Sequence, residues 1–105
     1  MRDADATDIA GIKADLARRI AGVDWRAGPS RVAGEVNTIR AIAQRQGLLP
    51  AATVAHLLEA AIAHGQRGAL VHGWLAMLAE AVASERQDRA ASDAFAAACA
   101  VRFAA

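Results

Sequence analysis

Ile9, Ile12, Leu16, Ile20 and Val23 recur at steps of three and four residues near the start of the chain. That spacing lays a narrow apolar stripe along one side of an α-helix. Asp5 or Thr7 can cap its start with a short oxygen-bearing side chain, and Gly22 with the stretch from Asp24 to Pro29 ends it. Gly28-Pro29-Ser30 opens a second helix, because the first turn tolerates a residue that lacks an N–H. Its stripe is Val32, Val36, Ile39 and Ala43, widened by Ile42, and Gly47 stops it. Pro50 starts a third helix whose apolar face is Val54, Leu57, Leu58, Ala61 and Ile62.

Gly65 and Gly68 interrupt that helix, and the pattern resumes at Ala69 with Val71, Trp74, Leu75, Leu78 and Val82. Leu70, Met77 and Ala81 add a second apolar face, which predicts a central position for this fourth helix. The run from Ser84 to Arg89 is polar on every side and reads either as a tight turn or as an exposed helical extension. Phe95, Cys99 and Phe103 make the stripe of a last helix. No stretch alternates with period two, so there is no strand signal. The pattern predicts an all-α, antiparallel bundle of four to five helices forming one domain over residues 1–105. Helices are expected near 5–22, 30–46, 51–64, 69–84 and 89–103.

Composition changes the picture in one respect. Thirty of the 105 residues are alanine. Alanine favours helix but buries little area, so each helix contributes less hydrophobic stabilisation than a leucine-rich one. Close helix approach over small side chains, or pairing with a second copy, would compensate, and both are expected. The formal charge is +1, with eleven Arg and only Lys13 as lysine, so no strong field attracts polyanions. Cys99 has no disulfide partner. The most apolar window, Ala69–Ala83, is shorter than the ~20 residues that cross a bilayer. With no basic start and apolar stretch to mark a signal peptide, a cytoplasmic location is expected, without membrane attachment.

Candidate chemistry is sparse. His56, His64 and His72 are eight residues apart, about 80° past two full helical turns, so they do not share a face. His56 and Glu59 lie one turn apart, and the expected reading is a surface pair without a metal. Ala63-His64-Gly65-Gln66-Arg67-Gly68-Ala69 resembles the phosphoacceptor motif of histidine phosphotransfer (HPt) domains, which runs Ala-His, two residues, then Lys-Gly and a small residue. The resemblance implies a helical bundle with His64 as phosphoacceptor. Arg67 would steady the added charge, and Gly68 would allow a partner domain to approach. Gln66 stands where the family usually has leucine, and the family's second glycine is displaced to Gly73.

Ser30, Ser84 and Ser92 fall where caps and turns are expected, and Cys99 on an apolar stripe reads as a small hydrophobe. A helix-turn-helix over residues 35–62 would place Ala51–Glu59 against DNA, but that stretch has no Arg, Lys, Asn or Gln to read bases. Nucleic acid is therefore not an expected partner. Asp15 with Arg18 or Arg19, and Glu85 with Arg89, are expected helical ion pairs. Trp74 reads as a core plug, and Trp25 as a core plug or an interface anchor. No catalytic set, metal or cofactor emerges. The expected function is a non-enzymatic interaction or regulatory module that self-associates through alanine-lined helix faces. Phosphorelay at His64 is the alternative.

Overall fold

The computed structural model describes residues 2–103, with side chains from Asp8 onward. Five helices follow one another: α1 (Arg2–Ala21), α2 (Pro29–Arg45), α3 (Leu49–Ala63), α4 (Ala69–Ala83) and α5 (Arg89–Arg102). Among the described residues there is no strand, so the chain is an all-α bundle. The α1 backbone is helical from Arg2, which puts Asp5 and Thr7 inside the helix instead of at its start. Any capping by those two side chains lies outside the described residues.

The predicted stripes are the buried ones. Leu16, Ile20 and Val23 of the α1 stripe, Val32, Val36, Ile39 and Ala43 of α2, and Cys99 of α5 all lie in one continuous core. Ile12, Phe95 and Phe103 pack against it half-buried. The centre, however, is α3 and not α4. It packs against α2, α4 and α5, whereas α4 packs mainly on α3 and α1. Pro50, Ala51, Ala52, Val54, Ala55, Leu58, Ala61 and Ile62 of α3 are all buried, over more than half of its circumference, with His56, Ala60 and Ala63 exposed on the remaining side. Small side chains are what allow this, since helix axes approach most closely where the contact residues are small.

Two helix ends are closed by the same device. Gln46 is the last half-helical residue of α2 and Gly47 follows at φ 71°. The Leu48 N–H then reaches back to the Ala43 carbonyl at 2.9 Å. In α3, His64 takes the place of Gln46 and Gly65 follows at φ 101°. There the Gln66 N–H reaches the Ala61 carbonyl at 3.0 Å. Both are Schellman closures, which need a residue with positive φ one step past the cap, a conformation only glycine adopts without strain.

Residues 84–88 form a turn, so α4 and α5 are separate helices. Asp88 caps α5, its carboxylate accepting from the Ala91 N–H at 2.9 Å. Arg86 and then the Ala91 amide hold the Asp88 carboxyl below its ordinary value of 3.8. A carboxyl held low in the folded state stabilises the fold fully above its unfolded pKa and loses that contribution as pH falls through the folded one. Thermal melts are therefore expected to show a smaller acid-induced loss for Asp88→Asn than for the parent below about pH 4, since asparagine caps without titrating.

At the other end of this turn, Lys13 of α1 donates to the Ser84 carbonyl at 2.9 Å, and Gln87 Nε2 donates to the same carbonyl at 2.7 Å. The single lysine thus closes the C-terminus of α4, where a cation also suits the helix dipole. It ties the middle of α1 to the end of α4. Among the described residues no helix is long and apolar enough to cross a membrane.

Candidate functional site

His64 is exposed, at the end of α3 instead of on a helix face. Its Nδ1 lies 2.8 Å from the Ala60 carbonyl. A carbonyl only accepts, so Nδ1 is the donor in this contact. The two other residues of the HPt-like segment do different work. Arg67 Nη1 donates to the carbonyls of Ile62 at 3.1 Å and Gln66 at 2.8 Å, so its guanidinium caps the α3 terminus. Gly68 is the cap residue preceding α4. Gly65 breaks the helix between His64 and Arg67, so the two are not on successive turns of one face. Gln66 Oε1 accepts from the Trp74 indole N–H at 2.9 Å, which locks this junction onto the core.

The His56–Glu59 pairing is replaced by a longer-range one. Glu59 accepts from Arg40 Nε of α2, and both side chains are half-buried. Arg40 Nη2 also donates to Asn37 Oδ1 at 2.6 Å. His56 is exposed beside this cluster. Among the described residues no three His, Cys, Asp or Glu side chains come together as metal ligands.

Cys99 is buried, and that burial pushes its thiol up, with Arg102 opposing weakly. It remains a protonated, inert hydrophobe at neutral pH. Ser30 and Ser92 are not caps. Gly28 precedes α2, while Ser92 is buried with its Oγ 2.5 Å from Thr53 Oγ1, pinning α5 to α3. Ser84 does lie at a helix end, as the C-cap of α4.

Asp15 pairs with Arg18 at 3.3 Å and with Arg19 at 3.1 Å. Arg19, more than Arg18, holds the Asp15 carboxyl below its ordinary value. The second expected pair takes different partners: Arg86 meets Asp88 at 2.8 Å, and Glu85 lies outside the helix that carries Arg89.

One concave feature with aromatic character lies between α1 and α4. A groove of about 280 Å³ is lined by Ala17, Ile20 and Ala21 of α1, Val23 and Trp25 beyond it, and His72, Leu75, Ala76 and Ala79 of α4. Trp25 is half-buried. Its ring lies 5.0 Å from the His72 ring, tilted by 36°, and the Arg26 guanidinium sits 4.6 Å over it. The groove continues a longer surface. Ala10, Ala14, Ala17 and Ala21 on α1 are exposed at steps of four, three and four, and His72, Ala76, Ala79 and Ala83 repeat those steps on α4, with only Ala79 half-covered.

The sequence signal for this surface is the alanine spacing itself, which runs parallel to the leucine–isoleucine stripe but one helical flank away from it. Alanine on a helix is equally at home in water, so spacing alone does not mark it. No family model, curated protein or solved structure matches the chain.

Proposed function

We propose that the protein is a non-enzymatic helical interaction module that self-associates. One observation carries this reading: the paired alanine rows of α1 and α4, with Trp25 at one end of the groove between them, form an uncovered helical face on a chain with little large apolar surface to bury. Two antiparallel helices with small exposed residues make a shallow trough, the shape that receives another helix.

The polar groups of the described residues support the same reading. Arg40, Glu59, Thr53, Ser92, Lys13 and Arg67 all hold helices together or close helix ends. Cys99 is protonated and buried, and among the described residues no nucleophile stands beside a base within hydrogen-bond reach. His64 is exposed, as phosphoryl acceptance requires, but Arg67 is turned to the α3 carbonyls, which weighs against that role.

Size-exclusion chromatography with light scattering at micromolar protein tests the proposal. The expected result is a molar mass that rises with concentration towards twice that of one chain. A mass equal to one chain across the whole range, with no partner bound, would contradict it.

A further inference from the structure

The Lys13–Ser84 bond places the middle of α1 beside the end of α4, and the shared groove places Ala21 beside His72. The two helices are therefore antiparallel neighbours, and residues 15–18 of α1 run past residues 77–80 of α4. The outer edge of the α1 row carries Arg18, at 72% side-chain exposure, and the outer edge of the α4 row carries Glu80, also exposed. Arg18, which also pairs with Asp15 of its own helix at 3.3 Å, lies within about one helical turn of the level of Glu80, so the α1 rim offers a cation and the α4 rim a carboxylate within reach of one level.

Resting on the self-association reading above, we infer that a second copy of this chain covers the α1/α4 face, about a two-fold axis parallel to the helices. This operation sets α1 of each copy opposite the partner's α4 and brings Arg18 close to the partner's Glu80, twice by symmetry. A two-fold axis across the helices at the level of Arg18 would instead lay α1 on α1 and face Arg18 with a second Arg18. Like charges across an interface are unfavourable, so the rims select the first arrangement. In it, Trp25 and Arg26 of one copy lie at the level of the partner's His72, so an aromatic side chain with a cation above it closes one end of the interface.

The size of the face fixes the character of the assembly. Two helices ~22 Å long and together ~20 Å wide present a footprint of ~450 Å² per copy. The total of ~900 Å² is below the ~1,200–2,000 Å² of stable complexes and in the range of weak, transient ones. The pair is accordingly a reversible dimer that forms and separates with concentration.

A charge-swap series followed by sedimentation equilibrium is the test. Arg18→Glu and Glu80→Arg each raise the dimer dissociation constant roughly tenfold by turning two attractive contacts into repulsive ones, and the double variant returns towards the parent value. Ala76→Glu, on the exposed floor of the face, abolishes the dimer while the helical circular dichroism stays unchanged. A dimer indifferent to Ala76→Glu overturns the inferred face but leaves self-association standing. A dimer lost in Ala76→Glu without rescue in the double swap overturns the two-fold arrangement. A parent that is monomeric throughout overturns both readings.

Discussion

Trp74→Ala is expected to lower unfolding stability by about 3–5 kcal/mol, the usual cost of emptying a buried tryptophan site. Trp74 is 5% exposed, stacks on Phe103 with ring centroids 4.2 Å apart, and anchors Gln66 through its indole N–H. Few other side chains in this alanine-rich core are so large, so the bundle has little with which to refill the space. Gly73 makes the fit tighter still, because a Cβ there would stand 3.2 Å from the Phe103 ring. Urea unfolding followed by circular dichroism measures the effect. Trp74→Phe, which keeps a ring but drops the bond to Gln66, is expected to cost much less. Equal stability of Trp74→Ala and the parent would mean that α5 does not depend on this stack.

Leu58→Ala is the second large effect, at about 2–5 kcal/mol. Leu58 is fully buried on α3, the helix that touches α2, α4 and α5. A cavity there falls within the helix that packs against three others, whereas the half-buried Ile12 on α1 borders the core from one side. Ile12→Ala is therefore the matched comparison, and the same urea titration should show the smaller loss for it. A reversed order would show that α3 is not the centre of the core.

Much of the fold is legible in the spacing of Ile, Leu and Val. The stripes on α1, α2 and α5 face inward because no other backbone form hides residues at steps of three and four. Gly47 reads correctly as a stop, since its Schellman closure is local chemistry. The hub is not legible. Alanines 51, 52, 55 and 61 bury α3 on several sides, yet a methyl group is silent about which side is wet. The two-sided pattern on α4 points to the centre when it reflects partly an exposed Leu70.

The polar ties are hidden for a different reason. Lys13 to Ser84, Arg40 to Glu59 and Thr53 to Ser92 join residues far apart in the chain, so no local pattern announces them. In the segment around His64, a run of seven residues matches a motif by residue type, but Gly65 adopts the left-handed conformation that ends the helix. The glycine's backbone freedom, more than the identity of its neighbours, decides what the segment can do.

Amide hydrogen exchange at two protein concentrations, one below and one above the range in which mass changes, decides whether a second copy covers the α1/α4 face. Slower exchange is expected at high concentration in α1 from Asp15 to Ala21 and in α4 from His72 to Ala83, with the buried amides of α3 unchanged. Protection that is the same at both concentrations everywhere, or that changes in α2 alone, would contradict it.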